Sequence, residues 1–265
     1  MFTHQVITMC NRDYFPHGIK FLETRKNVNA DFICYHPDLT LEQNGILTKH
    51  NIEPRAIDKT AFNECMQTLK FSMLSHSLRK YDNATFVDFD TFFVRDWYKL
   101  FKDKFDLGIT VRNEAIKKRD LKCLANGGVI FAKGVKGKKF CQYATNSIIN
   151  GYANGLYQYD LIFKTLEDSH RPEHKRYFRT NKRWWCDQVF LSALVLCYVE
   201  NTNYPKIDIA ESYILDNEYK VKFLNCKKYN NINATLENYE TMMKSDIYIG
   251  HLKEKGKRDE IEQGI

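Results

Sequence analysis

Asp88-Phe89-Asp90 follows an apolar run, Ala84-Thr85-Phe86-Val87, near the middle of a 265-residue chain. Two carboxylates one residue apart at the end of a strand suit a hard divalent cation. In an extended segment residues i and i+2 project to one side, so both acids can face an ion while Phe89 packs the other way. Like charges this close repel unless something positive lies between them, and a metal is the simplest account of the pair. A solvated turn is the plainer alternative. The phosphatase pattern DxDxT fits poorly, because Thr91 comes one residue too early.

The elements around the acids read as alternating strands and helices. His4 to Cys10 and Asp31 to His36 are strand-like, the second stopped by Pro37, and Phe15 to Lys26 carries helical apolar positions. A polar, Gly45-containing stretch, to which the pattern assigns no element, precedes a short strand near Arg55-Ala56-Ile57. From Thr60 to Lys80, Phe62, Cys65, Met66, Leu69, Met73 and Leu74 recur at spacings of three and four, which predicts an amphipathic crossover helix. Such a helix precedes a buried parallel strand, here Thr85 to Phe89. Ligands of open α/β sheets bind at the carboxyl ends of strands, where both acids fall. Lys70 lies among the apolar positions of that helix, where it could reach the site or snorkel along the surface.

Further strands are expected over Asp106 to Val111 and Gly128 to Phe131, and helices over Lys138 to Ile149 and Cys186 to Cys197. After Asn201 the pattern breaks into short strands near Ile207, Tyr213, Val221 to Leu224 and Ile247 to Ile249. With no repeat, hinge or low-complexity linker, one domain is expected over 1–265.

Composition narrows the function classes. The hydrophobic fraction is 43%, and no stretch approaches the roughly 20 apolar residues of a membrane span. With no signal-type N-terminus either, the expectation is an unanchored, cytoplasmic protein. Eight scattered cysteines without a CxxC pair argue against a zinc knuckle or a disulfide framework. The sequons at Asn83 and Asn233 then carry no weight. A net charge of +7 favours anionic ligands: nucleotides, phosphorylated acceptors or nucleic acid. The charge concentrates in Arg171, Lys175, Arg176, Arg179, Lys182 and Arg183, interleaved with aromatics up to Trp184-Trp185. That segment could be a solvated face, an acceptor wall or a lid.

The ordered set of motifs resembles the GT-A nucleotide-sugar glycosyltransferases, particularly the glycogenin-like and bacterial galactosyltransferase-like group. Asp88-Phe89-Asp90, with the helix at Trp97-Tyr98-Lys99-Leu100-Phe101, resembles the family's DxD strand and the helix after it. Ala125-Asn126-Gly127-Gly128-Val129 resembles the strand whose Asn and small residue contact the donor sugar. Asp187-Gln188, opening a helix, resembles the pair that flanks the reacting sugar, although Asp187 could equally be a helix-start residue. Gly250-His251 with Lys257 resembles the C-terminal His and Lys motif. The family follows its Lys with Pro-Trp; here Arg258-Asp259 come next, and Lys253 and Lys255 compete for the diphosphate contact. Asn11, Asp13 and Tyr14 occupy the loop expected to hold base and ribose.

The resemblance implies an α/β, Rossmann-like GT-A domain with a mostly parallel central sheet flanked by helices. A nucleotide-sugar half would span 1–130, and an acceptor-side half with the C-terminal metal and diphosphate segment 131–265. It implies transfer of a hexose from a nucleotide diphosphate sugar, a UDP-sugar, to a hydroxyl of a glycan, lipid, protein or nucleic-acid acceptor, anionic ones included. Asp88, Asp90 and His251 would bind Mn²⁺, or Mg²⁺, an imidazole ligand inclining the site to manganese. Asn11, Asp13, Tyr14, Lys70, Asp88, Asn126, Gly127 and Lys257 would bind the donor, and Asp187 and Gln188 would be catalytic. Configuration would be retained, unless Asp187 serves as a general base and the reaction inverts. The alternative is a nucleic-acid or anionic-polymer binding module without transferase activity, in which the basic segment is the functional surface.

Overall fold

The computed structural model describes residues 3–112, 124–154, 186–201, 212–215, 218–231 and 238–252. Its centre is a mixed sheet that alternates with helices along the chain. The strands are β1 (His4–Met9), β2 (Asp31–His36), β3 (Ile52–Ala56), β4 (Asn83–Val87), β6 (Leu107–Val111), β7 (Ala125–Lys133), β8 (Ser212–Leu215) and β9 (Tyr219–Asn225). They lie in the order β3-β2-β1-β4-β7-β6-β9-β8. β3, β2, β1 and β4 run parallel; β7 inserts antiparallel between β4 and β6; β9 is again parallel to β6, and β8 closes antiparallel. The expected mostly parallel sheet is therefore an α/β sheet with two reversed strands. A separate antiparallel ribbon pairs β5 (Thr91–Phe93) with β10 (Ile249–His251).

Alternate residues of the central strands feed two apolar layers, as the period of two demands. Ile7, Ile33, Phe86, Ile109 and Ile130 belong to one layer, under α3 (Lys59–Ser77), α4 (Gly134–Asn154) and α5 (Cys186–Asn201). Val6, Phe32, Val87, Val129 and Phe131 belong to the other, with Phe21 and Leu22 of α1 (Ile19–Thr24) and with Phe89, Phe93 and Trp97. Burial on both faces explains why the central strands read as nearly continuous apolar runs.

Three sequence expectations change. The polar Gly45 stretch is a helix, α2 (Leu41–Lys49). Its apolar pattern is weak because Leu47 alone is buried, and it is held at its start by a capping box between Thr40 and Gln43. The helix expected at Trp97–Phe101 is a 3-10 turn, Tyr98–Lys102. Finally, β4 ends at Val87, so Asp88 and Asp90 stand on a turn beyond the strand, closed by the Thr91 amide donating to the Asp88 carbonyl at 3.2 Å. Phe89 does turn away, into the core beside Phe21 and Phe15. The short strand expected near Ile207 lies outside the described residues. Cys10, Cys34, Cys141 and Cys226 are buried free thiols, as their scattered spacing suggested.

Candidate metal and donor site

The turn after β4 is fixed on both sides. The Asp88 amide donates to the Gly128 carbonyl at 2.8 Å, setting the acids beside Asn126-Gly127-Gly128 of β7. The chain leaving Asp90 becomes β5, and its partner β10 returns from far down the sequence with Thr91 opposite His251. The Leu252 amide donates to the Asp90 carbonyl at 2.9 Å. Thus a three-residue strand pair brings His251 onto the two acids.

One ligand atom from each of Asp88, Asp90 and His251 lies within 4.8 Å of the others, close enough for the three to hold one metal ion. His251 Nε2 is 3.0 Å from Asp90 Oδ1 and 3.9 Å from Asp88 Oδ2. The ring is oriented from behind. Thr110 Oγ1 donates to the Asn126 carbonyl at 3.0 Å and accepts from Asn230 Nδ2 at 3.4 Å, which leaves Asn230 Oδ1 to accept from His251 Nδ1 at 2.8 Å. A proton on Nδ1 frees the Nε2 lone pair to point at the acids, as metal-ligating histidines require. The Tyr14 hydroxyl donates to Asp90 Oδ2 at 2.7 Å. Asp90 Oδ1, although close to His251, is buried and accepts no aligned hydrogen bond from the described residues. Burial disfavours the Asp90 charge, but the charge His251 carries when Nε2 holds a proton, with the Tyr14 hydroxyl, outweighs it and holds the carboxyl down to about 2; a bound cation would take that proton's place. A ligand set of two carboxylates and one imidazole, with one buried oxygen lacking a donor, fits a divalent cation of the Mn²⁺ or Mg²⁺ kind.

Behind the acids lies a second buried charge cluster. Lys70 is 5% exposed, not snorkelling, and its Nζ is 2.9 Å from Asp187 Oδ2, 3.4 Å from Asp88 Oδ1 and 3.2 Å from the Gly127 carbonyl oxygen. Asp187, 3% exposed in the first turn of α5, is within the helix and spends its carboxylate on Lys70. Burial works against the Lys70 ammonium, yet Asp187 and Asp88 hold its pKa above the ordinary value. Burial also pushes the Asp187 carboxyl up, against Lys70 and with help from the Asp88 charge. The two directions differ because one ammonium serves two carboxylates. The ammonium, with two acids around it, is the fixed charge of the cluster.

The glycines of the Asn126-Gly127-Gly128 segment are required by space. A Cβ on Gly127 would lie 2.3 Å from Asp187 Oδ2; one on Gly128 would lie 2.7 Å from Asp88 Oδ2 and 2.9 Å from His251 Cε1. Asn126 is buried, accepts the Gly128 amide on Oδ1 at 2.9 Å, and its Nδ2 has no partner among the described residues.

Seven of the residues singled out from sequence are therefore brought together: Asp88, Asp90, His251, Lys70, Asn126, Gly127 and Asp187, with Tyr14 touching Asp90. Gln188 follows Asp187, half-buried in the first turn of α5. Asn11 uses Oδ1 to accept the Tyr14 amide at 2.8 Å, shaping the loop after β1. Asp13 faces solvent, its side chain 87% exposed. Lys253, Lys255, Lys257 and the basic segment from Arg171 to Trp185 lie outside the described residues. Asn230 and Thr110 were not legible as site residues, because neither belongs to a motif and both act through His251 and Asn126.

No family model matches this sequence, and no curated protein matches it. Solved structures do resemble it. The apo structure of WbbM, a bifunctional glycosyltransferase, aligns at 11% identity over 95% of this chain and 46% of that chain, with a TM-score of 0.52. The galactosyltransferase LgtC in complex with donor and acceptor sugar analogues aligns at 10% identity over 95% of this chain and 87% of that one, TM-score 0.51. An active-site mutant of LgtC aligns at 9% identity over 94% and 87%, TM-score 0.51. The chain thus spans less than half of the WbbM chain and most of the LgtC chain. At these identities the likeness establishes the fold, which is the GT-A glycosyltransferase fold.

Proposed function

We propose that this protein is a metal-dependent glycosyltransferase that moves a hexose from a nucleotide diphosphate sugar, a UDP-sugar, to a hydroxyl acceptor. The observation that carries the reading is the convergence of Asp88, Asp90 and His251 on one point; among the described residues Asp90 Oδ1 lacks an aligned donor, and Asn126 Nδ2, on the segment whose Gly128 borders Asp88 and His251, lacks an acceptor. Buried polar groups are normally paired, so an unpaired acceptor and an unpaired donor in one site indicate a ligand that supplies both partners.

In this reading Asp88, Asp90 and His251 hold the cation, with Asn230 orienting the imidazole and Tyr14 orienting Asp90. A divalent cation there would supply Lewis-acid stabilisation of the charge that develops on the departing diphosphate. Lys257 adds a positive charge to the same phosphates. The loop of Asn11, Asp13 and Tyr14 faces the nucleoside. Asn126 Nδ2 donates to a sugar hydroxyl, and Asp187 and Gln188 line the sugar near C1. Asp187 is engaged by Lys70 and therefore acts as a positioning group. That favours leaving and attack on one face: the C1 to diphosphate-oxygen bond breaks, the acceptor oxygen bonds to C1, and the acceptor proton passes to the diphosphate oxygen. Configuration is retained. Residues 1–130 and 131–265 both contribute to the site, so we take the chain as one functional unit.

The test is release of UDP from purified protein incubated with common UDP-sugars, with and without Mn²⁺. Metal-stimulated release that disappears in Asp90→Asn is expected. Should no common nucleotide sugar give metal-stimulated release, the reading fails, and RNA binding with a steep salt dependence would then favour a binding module. The anomeric configuration of the first product, read by proton NMR, tests retention.

A further inference from the structure

A cleft of about 810 Å³ opens on the layer of the sheet covered by α3 and α4, and the donor site does not account for it. Tyr35 of β2 and Arg55 of β3 form one wall; Ser72 and His76 of α3, with Arg79 just past its end, and Thr145 of α4 form the rest. Among the described residues no carboxylate lines it, and Glu53 is reached only through Arg55. Its volume lies within the range of small-ligand pockets, roughly 300–1,000 Å³, and suits a small molecule better than a polymer.

One cation is fixed in place. The Arg55 guanidinium donates to Glu53 at 2.6 Å and to the Tyr35 hydroxyl at 3.3 Å, and lies over the Tyr35 ring, 5.5 Å from its centroid. Arg79 has no carboxylate partner among the described residues. Partial burial and then Arg79, Arg55 and Lys80 all depress the His76 pKa, so the ring sits beside both arginines and one lysine. On the helix side Thr145 gives its hydroxyl proton to the Cys141 carbonyl at 2.9 Å, and Ser72, its hydroxyl 3.4 Å from that of Thr145, adds one neutral donor. Arg55 keeps N–H donors beyond those given to Glu53 and Tyr35, though Glu53 offsets its charge; together with the Arg79 guanidinium and the Ser72 hydroxyl they match an oxyanion with several acceptor oxygens.

We propose that this cleft is a second binding site, for the phosphate group of a small phosphorylated molecule. It stands independently of the transferase reading. The two Arg residues grip the phosphate, while the apolar wall of Ile57, Leu69 and Met73 leaves room for an attached ring.

Calorimetric titration of the full chain with inorganic phosphate, and separately with glucose 6-phosphate, tests it. A chelator keeps the metal site out of the reaction, and ionic strength is held constant. Saturable one-to-one binding is expected, weakened at least tenfold by Arg79→Ala and by Gln142→Glu, which adds a carboxylate to the lining. Lys99→Ala, an exposed charge on another face, should leave it unchanged. Tighter binding of the sugar phosphate identifies a phosphorylated metabolite as the ligand; equal binding identifies free phosphate. Absence of saturable binding by either ligand overturns the proposal. So does Arg79→Ala binding within twofold of the parent in folded protein, or equal weakening by Lys99→Ala.

Discussion

Lys70 Nζ lies 2.9 Å from Asp187 Oδ2 across 117 residues of sequence, and the pair is almost wholly buried. One ammonium joins the helix before the acidic turn to the helix that carries Asp187 in its first turn, and it also touches Asp88. Removing it leaves two carboxylates facing each other without compensation. Breaking a buried pair from one side costs about 3–5 kcal/mol. Lys70→Met should therefore lower unfolding free energy by that order in urea denaturation. Lys70→Met combined with Asp187→Leu should recover much of it while transfer remains lost. If Lys70→Met alone keeps parental stability, the cluster is not the buried ion network described.

The glycine pair separates two functions that a single motif joins. Gly127→Ala puts a methyl against Asp187, whereas Gly128→Ala puts one between Asp88 and His251. Sub-contact distances such as 2.3 and 2.7 Å force a side chain or the backbone to move. We expect Gly128→Ala to weaken Mn²⁺ binding at least tenfold, measured by electron paramagnetic resonance titration. Gly127→Ala should leave metal affinity within a fewfold of the parent but reduce turnover about a hundredfold. Identical profiles for the two variants would contradict this division.

Asn230 is a positioning residue for His251, reached through the 2.8 Å contact with Nδ1. Outer partners of ligating histidines typically contribute about 10–100-fold to metal affinity. Asn230→Ala should weaken Mn²⁺ binding within that range, and Asn230→Asp, which restores an acceptor, should recover most of it. A purely structural role would show instead as lost stability with normal affinity in both variants.

How much could be read from the sequence depends on how local each signal is. The period of α3 and the apolar run of β4 were readable because burial imposes their spacing directly. α2 was missed because it buries so little that its capping box, Thr40 with Gln43, outweighs its periodicity. The motif residues Asp88, Asp90, Asn126, Asp187 and His251 could be named one by one. Their convergence rests on β5 pairing with β10, a contact between three-residue strands that no local pattern reports. Lys70 was ambiguous for a related reason: an apolar helical face with one lysine looks the same whether the lysine snorkels outward or meets a carboxylate 117 residues away. Asn230 and Thr110 carry no pattern, since each is defined only by the group it touches.

His4 makes the fold sensitive to acid away from the acidic turn. It is buried beside Trp97 and Phe101, its Nε2 is 2.9 Å from Thr85 Oγ1, and Trp97 Nε1 donates to the same hydroxyl at 3.2 Å. Thr85 can thus donate to Nε2, which keeps the ring a neutral acceptor; Nδ1 has no partner among the described residues. Burial lowers the His4 pKa from 6.5 to about 3. Between those values the unfolded chain binds a proton that the folded chain refuses, so the contribution is fully present above about pH 6.5 and is lost as the pH falls towards 3. The slope from this residue approaches roughly 1.4 kcal/mol per pH unit within the window. Urea denaturation at pH 7, 6, 5 and 4 should show the parent losing stability faster than His4→Gln. The difference isolates His4 from Asp90, whose carboxyl stays ionised down to about pH 2 and is common to both proteins. Parallel pH profiles for the two proteins would mean that His4 is protonated in the folded state.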